Sequence, residues 1–144
     1  MAVINMHRET VVSIEEPKRG PLLAILAALF TILALSNISK PLSGGRAGFV
    51  FFGTKTAGVA NAVLGPAFGV FLLIYAVGIW RQKRWAVPMA WLYAAYVPIN
   101  LALFTLKTPE RWRSPVFGLA YVAVALGVSW SSAILLTRRR ARLR

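Results

Sequence analysis

The sequence predicts an all-α, polytopic membrane protein: four transmembrane helices in an antiparallel bundle, with the second and third helices kinked. Three observations carry that prediction. The runs Thr56–Trp80, Trp85–Leu106 and Ser114–Thr137 contain no charged residue, and each is bounded by Lys or Arg. At about 1.5 Å of rise per residue these make helices of roughly 33–37 Å, enough to cross a hydrocarbon core of about 30 Å. A shorter fourth run extends from Gly20 to Ser39. Finally, 58% of the 144 residues are hydrophobic and the charges gather in short clusters between the runs. A soluble helical domain would spread its charges along every helix.

Residues 1–19 read as a polar leader holding three of the four acidic residues, Glu9, Glu15 and Glu16. Pro17 and Pro21 bracket the entry to the first span (about 21–38), where proline is tolerated at a helix start. The Lys18-Arg19 flank and the small residues Ala34 and Ser36 also resemble a secretory signal. The long leader and the three later spans argue for a retained span. Residues 39–56 form the one sizeable loop. Gly44-Gly45 and Gly53 signal a turn, and Phe49, Phe51 and Phe52 make an aromatic cluster too short to span. That cluster is expected to lie in the interface, to re-enter the protein or to dock on a neighbour.

The second span (about 57–80) contains Gly65 and Gly69, four apart. Such spacing flattens one helix face and lets another backbone approach. Pro66 predicts a kink. Arg81, Lys83 and Arg84 then form a tight basic turn between Trp80 and Trp85, which suit membrane interfaces. On the third span (about 85–106), Met89, Tyr93, Tyr96 and Asn100 share one helical face. Pro98 cannot donate to the Ala94 carbonyl, which predicts a second kink. The fourth span (about 115–137) carries a ridge of small residues, Ala120, Ala123, Gly127 and Ser131, suited to close helix packing. The 20–137 region is thus one transmembrane domain, followed by a basic tail, residues 138–144.

With four spans, both termini share a side with the Arg81 turn, and that side holds eleven of the 17 Lys and Arg residues. The positive-inside rule makes it cytoplasmic. The expected location is the plasma (inner) membrane of a bacterium, with leader and tail both cytoplasmic. The formal net charge of +13 is assigned to anionic lipid headgroups at the basic turn and tail, and nucleic acid is not an expected partner.

Reactive chemistry is scarce. The chain has no Cys, which removes thiolate chemistry and Cys-ligated metals. It has no Asp, no Glu inside a span, and a single histidine, His7, in the leader. Ion-coupled carriers generally use an intramembrane carboxylate; the small multidrug exporters, for instance, depend on a glutamate in the first span. Neither an enzyme nor a metal site is expected. Asn61, Tyr93, Tyr96 and Asn100 form the candidate polar intramembrane site. Gly65, Gly69, Ala123, Gly127 and Ser131 are assigned to helix packing, and Phe49, Phe51 and Phe52 to partner contact.

Two functions follow from this reading. The first is a non-enzymatic accessory or scaffold subunit, packed against another membrane protein or a second copy. The alternative is a small carrier or channel for a neutral or anionic solute or lipid, lined by the Asn and Tyr residues. No cofactor is predicted, although an aromatic-lined helix cleft accepts a lipid, quinone or pigment as a structural ligand.

Overall fold

A computed structural model describes residues 20–43, 48–107 and 115–143. The leader, residues 44–47 with Gly44-Gly45, and the connection at residues 108–114 lie outside the described residues. The chain is mostly helical. Four helices, α1 (Pro21–Ile38), α2 (Gly58–Trp80), α3 (Ala86–Lys107) and α4 (Pro115–Arg138), are long and apolar enough to cross a membrane.

The described residues between α1 and α2 include regular structure. A 3-10 turn covers Lys40–Ser43. Two short antiparallel strands follow, β1 (Val50–Phe51) and β2 (Thr54–Lys55), with Val50 paired to Lys55 and Phe51 to Thr54. Their two-residue connection, Phe52-Gly53, has positive φ at both positions, 44° and 74°. That is the backbone pattern of a type I′ hairpin turn, which matches the twist of the flanking strands. A β-hairpin inside an otherwise helical chain departs from the all-α expectation.

Helix ends follow local chemistry. Pro21 opens α1, and the Leu23 amide donates to the Gly20 carbonyl at 3.0 Å. At its other end the Asn37 side chain donates to the Leu33 carbonyl at 2.8 Å. The C-terminus of α2 is a Schellman motif: Gln82 N–H reaches Ile79 O at 3.1 Å and Lys83 N–H reaches Gly78 O at 2.9 Å. Gln82 takes the left-handed conformation there, φ 52°, where glycine is usual. Both α2 and α3 run unbroken through their internal prolines, Pro66 and Pro98.

The core is aromatic at its centre and small-residue at its seams. The Phe30 ring meets Tyr75 at 4.7 Å and Tyr93 at 5.3 Å, both edge-on, joining α1, α2 and α3. Such pairs contribute about 0.5–1.5 kcal/mol beyond area burial. The Tyr75 hydroxyl donates to Ser132 at 3.0 Å and ties α2 to α4. Trp91 Nε1 donates to Thr137 at 3.0 Å and ties α3 to α4. Gly65 and Gly69 lie against the end of α1: a Cβ on Gly69 would stand 2.6 Å from Ile38 Cγ1 and 2.7 Å from the Ala34 carbonyl oxygen. Ala86, Ala90 and Ala94 form a fully covered seam on α3.

The outer surface inverts the usual rule for water-soluble proteins. Leu22, Ile25, Ile32, Val63, Leu92, Leu119 and Val124 are each at least half exposed. Large apolar side chains on every helix face outward, whereas Asn37, Asn61, Ser129 and Ser132 are buried. That distribution suits hydrocarbon as the surrounding solvent, in which polar groups must find partners inside the protein.

Candidate functional site: a hairpin clasp at one end of the helices

Four side chains converge on the β1–β2 hairpin. Asn61, buried on α2, accepts the Phe49 amide at 2.7 Å and the Thr56 hydroxyl at 3.4 Å through Oδ1. Asn100, on α3, accepts the Gly53 amide at 2.9 Å. The Tyr96 hydroxyl donates to the Val50 carbonyl at 3.2 Å. Lys107 Nζ, at the end of α3, donates to the Phe52 carbonyl at 3.2 Å and to Thr54 Oγ1 at 2.8 Å. The base is closed by Thr56, whose amide and hydroxyl both reach the Phe49 carbonyl, at 2.7 and 2.8 Å.

Gly53 makes this docking sterically feasible. It is buried, and a Cβ there would collide with the Leu103 backbone. The positive φ and the close approach both exclude an ordinary side chain. Phe52 shares the left-handed conformation without glycine's freedom, which is strained for a bulky residue. Its ring packs edge-on against Phe51 at 4.7 Å and Tyr96 at 5.7 Å.

The aromatic cluster divides. Phe49 is 3% exposed and packs on Phe68 at 5.1 Å, with Lys40 Nζ 5.0 Å from its ring centroid. Phe51 and Phe52 remain outside, 36% and 45% exposed. Lys40 also donates to Asn37 Oδ1 at 2.8 Å. Burial holds its ammonium below the ordinary value of 10.5.

Of the polar residues singled out from the sequence, Asn61, Tyr96 and Asn100 are thus brought together by the hairpin backbone. Tyr93 stands apart among Phe30, Phe68 and Tyr75. Gly65 and Gly69 face α1. Ala123, Gly127 and Ser131 lie on the exposed side of α4; a Cβ added to Gly127 would meet nothing within 4 Å. The Ser131 hydroxyl donates to the Gly127 carbonyl of its own helix. The buried face of α4 is instead Ser129, Ser132, Ala133 and Leu136. The docking of Lys107 on the hairpin and of Gly53 on α3 is not visible in the local sequence. The Phe-Gly pair, read as a two-residue turn, was the signal that could have found the hairpin.

The opposite end is basic. Arg84 Nε donates to the Leu143 carbonyl at 2.9 Å, and the Leu143 side chain is buried. The Arg139 guanidinium reaches the start of α1 at Gly20. The α1 start, the α2–α3 turn and the tail therefore meet at one end. No carboxylate side chain occurs among the described residues to neutralise it.

The architecture is that of a small protein with four helices of membrane-spanning length and composition. No protein-family model matches the chain, and no match is found among curated proteins or solved structures.

Proposed function

We propose that this chain is a non-enzymatic accessory or scaffold subunit of a membrane complex, and that it docks through the hairpin tip and the small-residue face of α4. One observation carries the reading. The Asn61, Tyr96 and Asn100 side chains hold the hairpin backbone, so the hairpin occupies the place where a solute pathway would need those groups. A carrier lined by them is less well supported. The exposed rings of Phe51 and Phe52 supply a rigid apolar tip, and Ala123, Gly127 and Ser131 offer a flat face for a second helix.

The topology that accompanies this reading is an antiparallel four-span bundle, bent at Pro66 and Pro98, in a bacterial inner membrane with both termini cytoplasmic. The charge asymmetry of the two ends supports it. The basic end is proposed to bind anionic lipid headgroups through Arg81, Arg84 and the tail arginines.

Purification from native membranes in a mild detergent tests the proposal. The expected product is a discrete assembly larger than the monomer, dissociated when Phe51 and Phe52 are both replaced by Ser. A lone, monodisperse monomer in membranes and detergent alike would defeat it. Solute flux in proteoliposomes, abolished by Asn100→Leu in a folded protein, would establish the carrier reading instead.

A further inference from the structure

A groove of about 230 Å³ opens between α1, α3 and α4, walled by Leu29, Phe30, Leu33 and Val128 and by the two tyrosines Tyr93 and Tyr121. Its hydroxyls differ from the others in the chain. Tyr75 donates to Ser132 and Tyr96 to the Val50 carbonyl. Tyr93 is 9% exposed and Tyr121 68%. Among the described residues neither hydroxyl has a hydrogen-bond partner, and since no fully buried polar side-chain atom there lacks one, both hydroxyls are accessible from outside the packed core. In hydrocarbon, no water supplies the missing acceptor.

The depth of the groove restricts what can supply it. Leu29 is the ninth residue of the 18-residue α1, about 13 Å from either end. Val124 and Val128, which also line it, straddle the middle of the 24-residue α4. Phospholipid carbonyls and phosphates belong to the interfacial layers outside the hydrocarbon core, which is about 30 Å thick. At that depth, a molecule that dissolves in the hydrocarbon and carries its own carbonyl supplies an acceptor that headgroups do not. The volume is below the roughly 300–1,000 Å³ of pockets that enclose drug-sized ligands. It holds a ring and leaves a long tail among the lipid chains.

We propose that this groove binds the ring of a lipid-soluble quinone, with Tyr93 Oη–H donating to one ring carbonyl and Tyr121 placed to serve the other. The Phe30 ring and the aliphatic side chains form the walls. The site binds and positions the ring, and no electron transfer is assigned to it. It lies in a different part of the molecule from the hairpin tip, and its test requires no partner subunit.

Isothermal titration of the full chain in phosphatidylcholine nanodiscs tests this, with a short-tailed prenylquinone as the probe and empty discs as the partition control. Saturable one-to-one binding is expected for the quinone and not for an alkylbenzene of matched tail. Tyr93→Phe, which keeps the ring and removes one donor, should weaken binding roughly 3- to 10-fold. Val124→Trp, entering the groove from its lipid side, should abolish saturable binding without overpacking the core. The proposal is overturned if protein discs take up no more quinone than empty ones. Equal affinity of the alkylbenzene, or unchanged affinity in both variants, would overturn it as well.

Discussion

Three side chains carry conformational or electrostatic costs that are testable one at a time. Gln82 occupies the left-handed position of the Schellman turn that ends α2. An L-residue there costs about 1–2 kcal/mol, partly offset by glycine's larger entropy loss on folding. Gln82→Gly should therefore stabilise the protein by about 0.5–1 kcal/mol, read from reversible unfolding in mixed detergent micelles. Lys40 is the second case. Its folded pKa lies below 10.5 because burial disfavours the ammonium. Between that lowered value and 10.5 the unfolded chain binds more protons, so stability should rise with pH across the window. Lys40→Met should remove that slope, and an unchanged slope would assign it to another group. Phe52, the third, adopts positive φ for the sake of its ring contacts. Phe52→Gly should relax the backbone while loosening the tip.

The hairpin is the element on which the docking proposal turns. Its strands are two residues each, too short to persist alone in water. It is kept in place by bonds to α2 and α3. Asn100→Leu removes the acceptor for the Gly53 amide and should cost about 1–3 kcal/mol locally. The check is hydrogen exchange, with faster exchange at Gly53 and little change in α1. Gly53→Ala should have a larger effect, because the added methyl collides with the Leu103 backbone and also disfavours the required φ. A cysteine introduced at Phe51 would report release of the tip through faster thiol labelling. Hairpins that stay protected in both variants would mean that the ring packing of Phe49 on Phe68 suffices to hold them.

For the whole molecule, the two helix faces rich in small residues should respond differently to bulk. Gly69→Leu places a side chain where Ile38 and the Ala34 carbonyl already stand. It should separate α1 from α2 and cost about 1–3 kcal/mol or more, as overpacking of a tight seam does. Gly127→Leu enters open space and should leave the unfolding free energy of the monomer nearly unchanged. If α4 docks another copy or subunit, the same substitution should abolish the larger assembly seen in mild detergent. Loss of monomer stability in Gly127→Leu, or retention of it in Gly69→Leu, would contradict the packing described above.

The positions of the four helices were legible in the residues because hydrocarbon imposes a coarse, local demand. A span must be long, apolar and free of charge, and Lys or Arg at each boundary marks where that demand ends. The flat face at Gly65 and Gly69 could be read for a similar reason, since missing side chains are visible without knowing the neighbour. What could not be read was the direction in which each face points. Ala123, Gly127 and Ser131 have the same small-residue spacing as a buried seam, yet Ser129, Ser132 and Leu136 face inward instead. Nor could the sequence pair Asn61 with Phe49, Asn100 with Gly53 or Lys107 with Phe52, since these partners are 12 to 55 residues apart. A polar side chain in a membrane announces that it needs a partner. Which atom satisfies it, a backbone amide of the hairpin or a ligand in a groove, depends on distances that exist once the helices have packed.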